Sequence, residues 1–281
     1  MGKKSRRKVK PVKEQMPFVS RTFEGLPGEA DWIALREFVP AATSNITLAD
    51  SDRVIKICSL LPGAGVGLVR PDDEIWIGLQ VAHNFGDISR DLAHAIALGL
   101  ETPSGTPIVM TDPGVGPRLQ DIIAPDSTFD VTVHDGFDYW IAGVDDSDQA
   151  AELMESANEG ATPTAQVEGV EHAYWTQFGG RSYVRWVRTE DEDDVLTALA
   201  RLRTAGGDGI GDDTRLIGMF RAHGLLVPVW ELDAGQDAAS LVGSAQEFEK
   251  RLAGTMTLTG SLTAEERSAR SSLANRQLTI R

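Results

Sequence analysis

Three short runs rich in β-branched residues, Val54 to Leu60, Gly67 to Val69 and Glu74 to Val81, are separated only by turns at Pro62-Gly63 and Pro71-Asp72-Asp73. Connections that tight favour strands that double back, so this stretch reads as an antiparallel meander. The same pattern returns later. His172 to Phe178 and Ser182 to Val187 flank Gly179-Gly180-Arg181, and Arg215 to Arg221 and Leu225 to Leu232 flank Ala222-His223-Gly224. Both read as hairpins. Elsewhere the period lengthens to that of a helix. Ile88, Leu92, Ile96 and Leu100 follow Asp87 or Ser89 as N-cap, and Val195, Leu199 and Leu202 follow the capping box Thr189-Glu-Asp-Glu192. Two more helices, Ala238 to Leu252 and Thr263 to about Asn275, close the pattern. The fold class predicted is α+β: two lobes of antiparallel hairpins and meanders packed against helices.

The remaining segments fill in around this frame. A short helix is expected near Asp31 to Val39, stopped by Pro40, and residues 101–128 read as a shaped loop rich in Pro and Gly. In Phe129 to Ile141 the apolar residues alternate on either side of Asp135-Gly136, a hairpin signal. Residues 145–160, acidic and alanine-rich, suggest a helix ending near Gly160. Ala161-Thr-Pro-Thr164 then marks the boundary between an N-terminal lobe, 17–160, and a C-terminal lobe, 161–281, which can also join as one continuous domain. Pro228 removes a ladder donor and points to an edge strand or bulge, and Gln277 to Arg281 reads as a docked strand or a frayed end.

Charge is divided sharply along the chain. Residues 1–13 carry seven basic side chains, Lys3, Lys4, Arg6, Arg7, Lys8, Lys10 and Lys13, and no acidic one. The remaining residues hold 20 basic against 42 acidic side chains, a formal charge of −22. Residues 1–16 therefore read as a disordered basic tail, too poor in apolar residues to fold and suited to polyanions through counterion release. An acidic body repels phosphates, so any nucleic acid or ribosome contact falls to the tail. No apolar run reaches 18 residues and no apolar stretch follows the N-terminal charges, which predicts a cytoplasmic protein without membrane contact.

The chemistry-bearing motifs are mostly missing. There is no Gly-x-x-x-x-Gly-Lys-Ser/Thr loop and no Gly-x-Ser-x-Gly elbow, and Gly63-Ala-Gly-Val-Gly67 leads into a strand where a dinucleotide fingerprint needs a helix. The single cysteine, Cys58, excludes disulfides and cysteine zinc sites, and its apolar neighbours predict a buried side chain. Of the five histidines, His83, His94, His134, His172 and His223, no two are three or four apart. Neither a metal nor a cofactor is expected. The densest local constellation is Thr132-Val-His-Asp-Gly-Phe-Asp-Tyr-Trp140, so a catalytic reading would draw on His134, Asp135 and Asp138, with Arg118 and His223 converging from elsewhere.

Several long segments carry a resemblance. Phe23-Glu-Gly-Leu-Pro-Gly-Glu29, Glu37-Phe-Val-Pro-Ala-Ala-Thr43, Gly116-Pro-Arg-Leu-Gln-Asp121, Thr132 to Trp140, Phe220 to Trp230, and Leu262 to Arg267 with Leu273 to Gln277 resemble an actinobacterial family catalogued as domain of unknown function number 5926. The resemblance spans nearly the whole chain after the tail. It implies a soluble bacterial protein with no established activity and no defined catalytic residues. Members are sometimes labelled preprotein translocase SecA, which implies a link to translocation, although this chain has no motor loop and a single cysteine. Three readings result: a non-enzymatic binding or adaptor protein with a polyanion-binding arm, an enzyme around His134, and an accessory role in translocation.

Overall fold

The computed structural model describes residues 19–141, 154–155, 157–233 and 235–275. The basic tail, most of the helix expected over 145–160, and Gln277 to Arg281 lie outside the described residues; residues 157–159 are helical and turn at Gly160. In chain order the first half contains α1 (Glu29–Glu37), β1 (Ala42–Leu48), β2 (Ser51–Cys58), β3 (Gly67–Val69), β4 (Ile75–Gly78), α2 (Ile88–Glu101), β5 (Thr106–Pro107), α3 (Leu119–Ile122) and β6 (Thr132–Val133). The second half contains β7 (Thr164–Gln166), β8 (Ala173–Phe178), β9 (Arg181–Trp186), α4 (Glu192–Thr204), β10 (Arg215–Ala222), β11 (Leu225–Leu232), α5 (Val242–Met256) and α6 (Ala264–Asn275). The expected α+β class is what the chain adopts, as a six-stranded sheet in the order β5-β3-β4-β2-β1-β6 and a five-stranded sheet in the order β10-β11-β9-β8-β7.

The layers are organised by α1. Ala30, Asp31, Trp32, Ile33, Ala34 and Leu35 are all buried, so this helix has no wet face, the condition of a helix enclosed by other elements. Its core includes Ile55, Ile57, Ile75 and Ile77 from the first sheet together with Tyr174, Phe220, Val227 and Val229 from the second. Trp32 lies between Phe23 and Phe129, with centroid distances of 5.7 and 4.3 Å, and its indole donates to the Pro27 carbonyl at 3.2 Å. Entry to α1 runs through Gly28 at φ 67, where a side chain would strike Phe129 at 2.8 Å. On the far face of the second sheet, Val195, Leu199, Phe248 and Leu273 from α4, α5 and α6 cover Trp186 and Trp230. On the far face of the first, Cys58, Leu61 and Trp76 pack with Phe137 and Trp140.

Several sequence expectations are corrected. The strands from 54 to 81 are no simple meander: β2 and β4 run parallel, Ile55 beside Ile75 and Cys58 beside Gly78, while β3 lies antiparallel on the outer side of β4. The intervening β3 gives the chain room to cross over. β1 was not anticipated, because Thr43, Ser44 and Asn45 disguise a strand whose buried positions still alternate. The hairpin expected at Asp135-Gly136 does not form. Thr132 and Val133 pair instead with Thr43 and Ala42 of β1, and Asp138–Trp140 coil into a 3-10 turn. The physical reason is that Phe137 and Trp140, three positions apart, both enter the core beside Cys58 and Trp76, a spacing that a turn satisfies and an extended strand does not. Tyr139 and Trp140 fix the turn by donating to the same Leu60 carbonyl at 3.0 and 3.1 Å.

In the second half the hairpins form where expected, with Gly179 and Gly180 at φ 59 and 76 and His223-Gly224 at φ 48 and 88. The start of α4 shifts by two residues: Asp191 rather than Thr189 is the N-cap, its carboxylate accepting from the Asp193 and Asp194 amides at 2.9 and 3.3 Å. Pro228 sits in an inner strand, not at an edge. The ladder between β9 and β11 runs as far as Val229 and Arg185 and resumes beyond Pro228 only as a bridge between Arg188 and Leu226, so the missing donor falls where the ladder is interrupted. The capping box at α6 is present, Thr263 Oγ1 accepting from the Glu266 amide at 3.2 Å and Glu266 returning the bond at 2.7 Å.

The segment leading into β3 approaches β4 unusually closely at Gly78, where a Cβ would meet the Gly65 carbonyl oxygen at 2.5 Å. Gly78→Ala is expected to lower the urea midpoint by the equivalent of about 1–3 kcal/mol without changing the transition's slope. An unchanged midpoint would mean that this approach is looser than described.

Candidate functional site

The five residues singled out from sequence fall into two groups by their bonding partners. His134 ends β6, where its Nε2 lies 2.9 Å from Thr43 Oγ1 and its ring packs 4.6 Å from that of Tyr139. Burial, helped by the charge of Lys56, pushes its pKa down against the pull of Asp135. Asp135 is exposed, and Asp138 accepts from Asn158 Nδ2 at 3.1 Å. The second group meets at Thr22. Arg118 donates to Asp87 and to the Thr22 carbonyl, both at 2.8 Å, while His223 contacts Thr22 Oγ1 at 3.0 Å and Glu37 at 2.9 Å. The hydrogen bond from His223 lowers the Glu37 pKa, and the charges of His223 and Arg36 add to it against burial. Cys58 is fully buried, as expected, and burial raises its thiol pKa.

A third arrangement was not singled out from sequence. Asp31, in the buried stretch of α1, accepts a hydrogen bond from the Tyr174 hydroxyl at 2.7 Å and lies 2.9 Å from His172 Nδ1. His172 stands just before β8 in the left-handed region, φ 61. Burial works against its charged form, but the hydrogen bond and charge of Asp31, with Glu171 beside it, outweigh burial and the opposing Arg188, so its pKa is raised. The signal available in the sequence was an aspartate inside an otherwise apolar helical stretch, Ala30-Asp-Trp-Ile-Ala-Leu35. A buried carboxylate needs donors, and these come from 141 and 143 residues away.

His172 borders two clefts that share the loop residues Gly169 to His172 in their lining. One, about 430 Å³, is lined by Asp31, Asp130, Glu168 and Glu171 among others. The other, about 450 Å³, is lined by Trp186, Arg188, Glu190, Gln246, Glu249 and Lys250 with His172. In the latter, Arg188 is nearly fully buried and holds Glu190 and Glu249, its Nη1 2.7 Å from Glu249 Oε2.

The arginines of the described residues are engaged internally. Arg21, Arg118, Arg181, Arg188, Arg203, Arg215, Arg221 and Arg270 pair with carboxylates. Arg36, Arg53, Arg70, Arg90, Arg201, Arg251 and Arg267 donate to main-chain carbonyls. Arg185 lies over the Phe38 ring. Lys56 pairs with Glu74 at 3.0 Å. The tail residues Lys3 to Lys13 lie outside the described residues. Among the described residues no three His, Cys, Asp or Glu side chains gather as a metal would require, and no helix is long and apolar enough to cross a membrane.

The family model described as Family of unknown function (DUF5926) matches residues 22–281. No curated protein and no solved structure matches the chain.

Because the His172 pKa is raised on folding, protonation favours the folded state. That contribution is complete below the unfolded value of about 6.5 and is lost as pH rises through the higher folded value. Asp31, Glu171, Arg188 and Tyr174 are the groups that face the imidazole. The stability of the native protein relative to His172→Gln should therefore be greatest below about pH 6.5 and shrink as pH rises above it. A difference that grows with pH in urea titrations would contradict the bonding scheme.

Proposed function

This chain belongs to the family of unknown function DUF5926, and from its own residues we propose that it is a cytoplasmic, non-enzymatic binding or adaptor protein whose basic arm contacts a polyanion such as nucleic acid or the ribosome. The observation that carries this reading is the division of cationic charge. The body is formally −22, and the arginines among its described residues already face carboxylates, carbonyls or a ring. Such cations have little left for phosphate, whereas Lys3, Lys4, Arg6, Arg7, Lys8, Lys10 and Lys13 form a run without a single acidic residue. The acidic body limits the contact to the arm and weakens binding of long polyanions over the rest of the surface.

An enzyme centred on His134 is the second reading. Its supporting observation is the orientation of the imidazole by Thr43, yet Arg118 and His223, its proposed partners, are bonded to Thr22. The accessory role in translocation rests only on a name sometimes given to members of the family, whose own description assigns no function.

Fluorescence anisotropy with labelled duplex DNA and with structured RNA tests the proposal on the intact chain and on a chain lacking residues 1–13. Binding by the intact chain should fall with salt, with a log–log slope as steep as about −6 on duplex DNA if all seven charges engage. The truncated chain should not bind. Equal binding by both chains would overturn the assignment, and a pull-down from cytosol with nuclease-treated controls would then identify what the body binds.

A further inference from the structure

Among the described residues, Lys250 is the exception to the internal pairing of lysines and arginines. Exposed on α5, it forms no ion pair or hydrogen bond among the described residues. It faces the 450 Å³ cleft that His172 also lines. There the imidazole is held from behind: Nδ1 is engaged by Asp31 at 2.9 Å, while Nε2 has only the exposed Glu171 carboxylate, 3.8 Å away. A ring oriented through one nitrogen by a buried carboxylate presents the other nitrogen in a defined direction. The loop that carries it has two residues in the left-handed region, Gly169 at φ 79 and His172 at φ 61, and is tied to α5 by Gln246 donating to the Gly169 carbonyl at 3.3 Å. Left-handed backbone at a residue other than glycine is held only by its surroundings and recurs at ligand clamps.

The charge of the cleft selects its occupant. Lys250, and His172 Nε2 when the ring is protonated, offer donors to an anionic group. Glu171, Glu190 and Glu249 border the same space, and Arg188 neutralises only part of their charge. A phosphate polyanion would be repelled, and a simple cation would meet Lys250. A molecule with both signs a few ångströms apart satisfies both walls, and the volume lies within the range of small-molecule sites. We infer that this cleft binds a small zwitterion of the amino-acid class, with its carboxylate at Lys250 Nζ and His172 Nε2 and its ammonium at the Glu171, Glu190 and Glu249 wall. The cleft is lined by residues between Gly169 and Lys250, so a chain lacking residues 1–13 keeps every residue of this lining and the two proposals fail independently.

Nitrogen-detected NMR of the intact protein, following the His172 ring and the Gly169 amide, tests the site with glycine, glutamate and lysine against acetate and methylamine. Saturable shifts with amino acids, at affinities at least about tenfold above those of the singly charged controls, are expected. Lys250→Met should weaken amino-acid binding by about tenfold and leave the thermal midpoint unchanged, since Lys250 makes no internal bond. Lys250→Arg should restore part of the affinity, which a purely structural role would not predict. Acetate binding as well as glycine would overturn the zwitterion in favour of a plain anion site. The absence of saturable change up to about 10 mM ligand would overturn the site altogether.

Discussion

A carboxylate inside a helix without a solvent face is costly, and the protein meets that cost at Asp31 by reaching across the chain. Tyr174 and His172, both at the start of β8, supply the two bonds. Because α1 shares one apolar core with strands of both sheets, those bonds fasten the second sheet to a helix that also packs with the first. Replacing such a group by an apolar one of similar shape is often nearly neutral. Removing one partner and leaving the other buried is what destabilises. The arrangement therefore contributes to which way the layers meet more than to the total stability, most of which comes from the apolar surroundings of Trp32, Ile33 and Leu35.

The same logic, applied to charge, separates the working surfaces of the molecule. Ion pairs, carbonyl contacts and one aromatic ring absorb the arginines of the described residues, leaving carboxylates in excess there. Exposed pairs of this kind stabilise little individually, but they remove cations from the surface. On the proposed reading, the basic arm and the cleft with the unpaired Lys250 are where an anionic group finds a donor. The third core, with Cys58, Trp76, Phe137 and Trp140, accounts for the aromatic density of the segment Thr132 to Trp140 by packing.

Local rules were legible wherever a single residue decides the outcome. Asp87 caps α2, accepting from the Ser89 amide, Gly179-Gly180 and His223-Gly224 turn their hairpins, and Thr263 with Glu266 opens α6. What the sequence hid was non-local. The parallel register of β2 and β4 depends on where β3 is placed, and the polar-looking β1 becomes a strand because β2 and β6 flank it. Phe137 and Tyr139 satisfy an alternating pattern as readily as Phe137 and Trp140 satisfy a turn until the position of Cys58 is known. The His172–Asp31 contact, spanning 141 residues, leaves only a faint local trace, an acidic residue in an apolar helix.

Native-state hydrogen exchange on the native chain and on Asp31→Asn tests the central claim most directly. If α1 is a wall shared by both sheets, the slowest amides of β2 and β4 and those of β9 and β11 exchange with the same free energy, and the substitution lowers both by the same amount, about 1–3 kcal/mol. A loss confined to β8 and β9, with the first sheet unchanged, would contradict it.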